Sequence, residues 1–237
     1  MLPSNIFYNH FSREYNNYSK TRKDYINSVD GLILKTNFHP KNIIDLGAGT
    51  GTRARKISTE MNIENVTLVD NSPRMLEEFK SDRNFKIVVA DIAGNEFINE
   101  KYDAALCLWN VMGHVDSEVK RMSVIQNISD ILNVGGYAFI DVNNRYNISQ
   151  YGFKNVLRNM FADFFGNKDK IGNYPLKIKR DKIDIETVVH IFNPSEVDKL
   201  IKIARLSIVE KRYVNYDTGR VSRNPFVGQI FYKIQKK

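Results

Sequence analysis

Asn42-Ile43-Ile44-Asp45-Leu46-Gly47-Ala48-Gly49-Thr50-Gly51-Thr52 is the stretch on which the reading of the fold turns. Ile43 to Leu46 is a short, mostly apolar run that reads as a buried strand. Glycines then fall at alternate positions, 47, 49 and 51, and the apolar spacing beyond them becomes helical. A strand, a glycine turn and a helix form half of a site for a nucleotide-like ligand. Glycine serves there because the backbone must turn sharply and let a ligand come close. A bare glycine loop says little by itself, and the chain on either side decides its meaning.

Upstream, residues 4–38 are expected to be helical and amphipathic. Ile6, Phe7, Phe11, Tyr15 and Tyr18 recur at spacings of three and four, and Tyr25, Val29 and Ile33 continue an apolar face. His39-Pro40 closes the segment, since the residue before proline is pushed out of the helical region. Downstream, Arg53 to Met61 reads as a crossover helix. Val66 to Asp70 reads as a second strand ending in an acid. Ser72-Pro73 opens a helix with serine as N-cap and proline at its first position, and Met75, Leu76 and Phe79 form its inner face. Lys86 to Ala90 is a third strand, followed by Asp91. Tyr102 to Leu108 is a fourth, with a loop from Trp109 to Val115. A helix capped by Asp116 or Ser117 runs through Leu132, and Gly135-Gly136 is expected to end it. Tyr137 to Ile140 is a fifth strand with Asp141 at its tip. Alternating strands and helices predict an α/β domain with a mostly parallel sheet and helices on both faces.

The alternation breaks after residue 142. Residues 143–182 mix aromatic side chains with Lys168, Lys170, Lys177, Lys179, Arg180 and Lys182, and read as a lid, helical near 151–165 and loop-like after Gly166. Ile183 to Phe192 alternates like a strand, Asn193-Pro194-Ser195 opens a helix, and Leu206–Tyr216 and Phe226–Ile234 read as two final strands. The expected organisation is one domain over 1–237. It has N-terminal cap helices over 1–40, a ligand-binding core over 41–142, the lid over 143–182, and C-terminal elements over 183–237.

Composition narrows the class. The 237 residues are 42% hydrophobic and 26% charged, ordinary for a globular domain with a full core. A single cysteine, Cys107, allows no disulfide within the chain and suits a reducing compartment. The N-terminus does not read as a secretory signal, and no run reaches the length of a membrane span, so a cytoplasmic location and no membrane partner are expected. The formal charge of +8 is spread along the chain rather than blocked, which points to a lysine-rich composition more than to an anionic partner.

Ligands of an open parallel sheet bind outside the C-terminal ends of the strands. Four successive strands here end in candidate ligand groups: the glycine loop, Asp70, Asp91, and Trp109-Asn110. An acid about 20 residues past the loop can accept both hydroxyls of a ribose. That interval also suits a dinucleotide dehydrogenase, but the third glycine of G-x-G-x-x-G is missing: counted from Gly47 the position is Thr52, and from Gly49 it is Ala54.

With these residues in order, the sequence resembles the class I S-adenosylmethionine-dependent methyltransferases, of the small-molecule kind. Asp45 to Gly51 resembles the family's first motif, Val69 to Ser72 its ribose-binding acidic loop, Ala90 to Ile92 its adenine-binding motif, and Tyr102 to Trp109 its fourth motif. The resemblance is close over about residues 40–142 and looser beyond. It implies a Rossmann-like seven-stranded sheet whose C-terminal hairpin brings in an antiparallel strand. It also implies S-adenosyl-L-methionine as cofactor. Asp45, Gly47, Ala48, Gly49 and Gly51 would hold the methionine end, Asp70 and Asn71 the ribose, and Asp91, Ile92 and Met75 the adenine. Leu108, Trp109 and Asn110 would lie near the methyl group.

Methyl transfer from a sulfonium is an in-line displacement, so the protein aligns donor and acceptor and needs a base only if the acceptor must lose a proton. His114 is the candidate base. Tyr15, Tyr18, Asp141 and Asn143 are candidate acceptor-side residues, and Arg22 is a candidate partner of the cofactor carboxylate. No His/Cys/Glu spacing supports a metal site. Two acceptor classes follow. A small molecule held under the lid is favoured, because Asn110-Val111-Met112-Gly113 stands where amino-group nucleic-acid methylases carry N/D-P-P-Y/F. tRNA or another nucleic acid on the basic lid is the alternative, and a non-catalytic adenosylmethionine-binding protein a third reading.

Overall fold

The apolar run at 43–46 forms β1 (Asn42–Leu46) in a computed structural model that describes residues 1–79, 85–166, 171–180 and 183–237. Side chains alternate along a strand, so Ile44 and Ile43 point to opposite faces and enter different apolar layers. Two helices precede β1, α1 (Ser4–Lys20) and α2 (Lys23–Leu34), within the amphipathic stretch read as cap helices. The rest of the parallel core follows in order: α3 (Thr52–Glu60), β2 (Asn65–Asp70), α4 (Pro73–Glu77), β3 (Phe85–Val89) and β4 (Tyr102–Cys107). A 3-10 turn (Val111–His114) then leads to α5 (Glu118–Ile131) and β5 (Leu132–Val142).

Helix α5 begins where the sequence places it, with Ser117 Oγ accepting from the Lys120 N–H. It ends earlier than expected. The chain is already extended at Leu132, and Gly135-Gly136 lies inside β5 rather than at a helix end. A Cβ on Gly136 would come 2.9 Å from the carbonyl oxygens of Asn133 and Asp103, so glycine lets the two backbones pass closely there.

The segment after β5 differs most from expectation. It forms α6 (Ile148–Tyr151), α7 (Phe153–Phe165) and then β6 (Asn173–Arg180), which pairs antiparallel with β7 (Ile183–His190) as a separate two-stranded hairpin. The expected loop after Gly166 is therefore a strand over 173–180. Leu176 and Ile178 alternate with Lys177 and Lys179, and Lys177 and Lys179 face Glu186 and Asp184 across the hairpin at 3.3 and 4.0 Å. Lys168, Lys170 and Lys182 lie outside the described residues. Arg145 pins this segment from below. It is buried, pairs with Asp163 of α7 and Glu196, and donates to the Ile191 carbonyl at 2.7 Å.

Helix α8 (Pro194–Ile203), opened by a capping box between Asn193 and Glu196, leads to β8 (Leu206–Val214), β9 (Val221–Ser222) and β10 (Gln229–Lys236). The sheet order is β3-β2-β1-β4-β5-β10-β8-β9. Seven strands make its body, and the two-residue β9 adds an eighth at the edge. β10 inserts between β5 and β8 and runs antiparallel to both. Helices cover both faces: Val124 and Ile128 of α5 and Val197 of α8 pack on one, Val29 of α2 and Ile57 of α3 on the other. The carboxyl ends of β1, β2 and β4 meet along one rim, and α1 lies across it.

Candidate active site

Three cavities open along that rim, and their linings meet at Tyr15 and Trp109. One, of about 270 Å³, is lined by Gly47, Gly49, Asp70, Asn71, Met75, Asp91, Ile92 and the 3-10 turn, with Tyr8 of α1 closing it. A second, of about 140 Å³, lies over Asp45, Ala48, Arg53 and Leu108. The third, of about 110 Å³, is bounded by α1, Asn110, His114, Asn143, Leu176, Ile178, Val189 and Tyr216.

Gly47 and Gly49 both have positive φ, +74° and +58°. A Cβ on Gly47 would fall 2.5 Å from a Val111 methyl, and one on Gly49 would press on Met75 and Tyr15, so any side chain at either point would fill the first cavity's wall. Gly51 also has positive φ but lines none of the three. Its Cβ would strike Phe79 and Leu68, so it serves helix–sheet packing rather than a ligand, a correction to the expectation for this residue.

Asp70 stands at the end of β2 with both oxygens engaged by backbone. Oδ2 accepts from the Gly49 N–H and Oδ1 from the Ser72 N–H, each at 2.8 Å. Burial pushes its carboxyl up, and the two N–H groups pull it back. Each oxygen keeps a further lone pair toward the cavity. Asp91 is more open. It accepts from the Ala93 N–H at 3.0 Å and lies 3.4 Å from Lys120 Nζ.

Trp109 and Asn110 follow β4 in the left-handed region, with φ of 64° and 60°. Asparagine tolerates that region, but a bulky residue such as tryptophan rarely adopts it, and such strain concentrates at functional turns. Asp141 holds the turn: its Oδ1 accepts from the Trp109 N–H at 2.7 Å and its backbone carbonyl from the Asn110 N–H at 3.0 Å, while Oδ2 accepts from Tyr25. Asp141 is 1% exposed and lines none of the cavities, so it supports the site from beneath instead of meeting an acceptor. The Trp109 indole stacks on Tyr18 with centroids 5.7 Å apart, and its Nε1–H donates to Tyr216 at 3.1 Å.

His114 sits between the first and third cavities. Its Nε2 is 2.9 Å from the Tyr8 hydroxyl and its Nδ1 has no partner. Burial lowers its pKa to about 4, so the ring is neutral at pH 7. Asn143 and Tyr18 border the third cavity. Arg22 does not reach the rim pockets: it pairs with Asp217 and lies over Tyr216. His190 is held by Asn173 and Glu196 inside the hairpin base.

Tyr8 and Arg53 are the residues the sequence reading missed. Arg53 grips Asp30 through Nε and Nη2 at 3.0 and 2.8 Å. Its buried Nη1 makes no hydrogen bond and lies 3.9 Å from Asp141 Oδ1, and Arg53 and Asp45 both line the second cavity. Burial raises the Asp45 carboxyl to about 7 against the pull of Arg53. Among the described residues no group of three or more His, Cys, Asp or Glu is placed to hold a metal ion.

Residues 43–136, the part of the chain that carries the glycine loop, Asp70, Asp91 and Trp109, match the family model of a methyltransferase domain. Over those residues the chain is similar to methyltransferase domains. Its fold is similar to that of an S-adenosylmethionine-dependent methyltransferase from Clostridium acetobutylicum, at a TM-score of 0.69 and 18% identity over 97% of this chain and 98% of that one. It is also similar to an amino pentose methyltransferase from Micromonospora echinaspora, at 0.61 and 14% over 96% of each. In sequence it is 23% identical over 229 residues to an uncharacterised protein of Methanocaldococcus jannaschii, covering 96% of this chain and 83% of that protein. The Clostridium acetobutylicum protein depends on S-adenosylmethionine. The residues at the rim fit that group: two glycines that leave room, an acid whose oxygens can accept further bonds, apolar Met75 and Ile92, and a guanidinium with one nitrogen that makes no hydrogen bond.

Proposed function

We propose that this protein transfers a methyl group from S-adenosyl-L-methionine to a small molecule held in the third cavity, with the donor spread over the first and second. The observation that carries this reading is the shared wall. Tyr15 and Trp109 line all three cavities, so a sulfonium lying between adenosine and methionine ends would face the third cavity there. Aromatic faces suit a sulfonium charge.

Asp70 would accept from the ribose hydroxyls, with Asn71 beside it. Asp91 would accept from the adenine amino group, with Ile92 and Met75 against the ring. Gly47, Gly49 and Ala48 would let the backbone approach the methionine end. Arg53 Nη1 would take its carboxylate and Asp45 would sit near its ammonium, with Leu108 below. The cofactor supplies an activated methyl, and the chain's own residues align the acceptor and exclude water.

A small acceptor is favoured over RNA by the chemistry of the third cavity. No Lys or Arg among the described residues lines it, and its described hairpin lysines face acids outside it. Nucleic-acid binding rests on phosphate contacts from such cations. No helix among the described residues is long and apolar enough to cross a membrane. With a lone buried cysteine, we read the protein as cytoplasmic and as a single domain from cap helices to C-terminal strands. Incubation with methyl-labelled S-adenosylmethionine and a whole-cell extract containing tRNA is the test. Label is expected in the small-molecule fraction, and label retained in RNA would contradict the reading.

A further inference from the structure

A surface helix ordinarily sinks its apolar stripe into the core and leaves its polar face in water. Helix α7 does the reverse. Its inward residues are polar: Asp163 pairs with buried Arg145, and Asn159 donates to the Arg145 carbonyl and accepts from the Tyr174 hydroxyl, each at 3.1 Å. Val156 is buried beside them. Phe153, Leu157, Phe161, Phe164 and Phe165 point the other way. Their spacings of three and four put them on one face of the helix. The four phenylalanines are 59–86% exposed and Leu157 is 41% exposed. The rings of Phe164 and Phe165 lie with centroids 5.9 Å apart.

With roughly 200 Å² for a phenylalanine, these exposures leave an apolar stripe of about 600 Å². A monomer rarely leaves so much in one patch. The segments outside the described residues, 80–84, 167–170 and 181–182, consist of polar and charged residues, so they bring no apolar surface to cover it.

We propose that α7 pairs with α7 of a second copy of this chain, antiparallel and about a two-fold axis. Two stripes face to face would bury about 1,200 Å², the lower end of a specific interface. A two-fold contact uses the same patch on both copies, so the patch must complement itself. This one does. Phe153, Leu157, Phe161 and Phe165 form a row with a spacing of four, and the row read in reverse is the same row. Reversed at the level of Asn159, it sets Leu157 against Phe161, and Phe153 against Phe165, of the second copy. Lys154 and Arg158 are exposed along one side of the row. In the same arrangement they fall beside Phe165 and Phe161 of the second copy, where a cation near an aromatic face adds attraction. An anionic membrane fits less well: α7 offers these two cations, where lipid-binding patches carry about four to eight.

The pairing bears on the third cavity. Asn159 ties α7 to Tyr174 of β6, and Arg145 ties it to the Ile191 carbonyl just past β7. These are the strands whose Leu176, Ile178 and Val189 line that cavity, so the contact braces its wall from outside.

The test is sedimentation velocity of the full chain from about 1 to about 300 µM. A shift from monomer to dimer is expected over that range. Phe161→Glu and Leu157→Lys each place a charge at the centre of the pair, and each is expected to weaken association by roughly tenfold or more. Both side chains are solvent-facing in the single chain, so the variants should keep the parent's circular dichroism and melting temperature. An equal mixture of the two variants brings the opposite charges together and is expected to recover association. A parent chain that stays monomeric throughout, a dimer that either variant leaves intact, or a mixture that stays dissociated would overturn the pairing. Flotation with phosphatidylserine vesicles by a chain that stays monomeric in solution would assign the stripe to a membrane instead.

Discussion

Asp70→Ala is expected to weaken binding of S-adenosylhomocysteine by roughly a hundredfold, read by calorimetry. Two losses combine in that figure. The carboxylate is the partner of the Gly49 and Ser72 N–H groups, so its removal strips two buried donors and loosens the glycine turn. The same oxygens carry the lone pairs that would receive the ribose hydroxyls. Asp70→Asn separates the parts: it keeps one acceptor oxygen for the loop and is expected to lose about tenfold. Burial raises the Asp70 pKa above the ordinary carboxylate range. Affinity should therefore fall as pH is lowered toward that raised pKa, because the protonated group accepts less well. Unchanged affinity in the alanine variant would sink the ribose assignment.

Arg53→Lys is expected to lower affinity for S-adenosylhomocysteine by about tenfold or more while leaving 5′-methylthioadenosine binding within twofold. Methylthioadenosine lacks the amino-acid end, so it reports the adenosine cavity alone. Lysine keeps a positive charge beside Asp30, which is buried and also paired with Lys56 at 3.2 Å, but it cannot fill the place of Nη1, which makes no hydrogen bond and lies 3.9 Å from Asp141. A charge-assisted hydrogen bond to a carboxylate is among the stronger kinds, which sets the size of the effect. Equal losses for both ligands would mean that Arg53 acts only through packing at the base of α3.

The parts legible in the sequence are those whose causes are local. The glycine turn, Asp70, Asp91 and the Trp109 turn each lie at the end of an apolar run, and a strand's end is written in a few adjacent residues. The alternation of strands and helices pointed to a parallel sheet in the same way, and the strand order came only from the fold. What was not legible depends on contacts between distant segments. Tyr8 matters because His114 lies against it, 106 residues away. Arg53 matters because Asp30 of α2 and Asp141 of β5 hold it over the second cavity. Asp141 reads as a strand-tip acid, yet Tyr25 and the Trp109 N–H claim its carboxyl, and only packing reveals that. The hairpin strand at 173–180 carried a period-two signal in Leu176 and Ile178, but the intervening lysines and Pro175 made it read as a basic loop. Proline is tolerated on an edge strand, and this strand pairs on one side only.

The account's central claim is that donor and acceptor meet at Tyr15 and Trp109. Trp109 is the chain's one tryptophan, so its emission reports that junction alone. Titration with S-adenosylhomocysteine, followed by tryptophan fluorescence and by calorimetry on the same sample, is the most direct test. The account predicts a saturable fluorescence change with the same midpoint as the heat and one ligand per chain. Binding heat with no change at Trp109, or no binding at all, would contradict it.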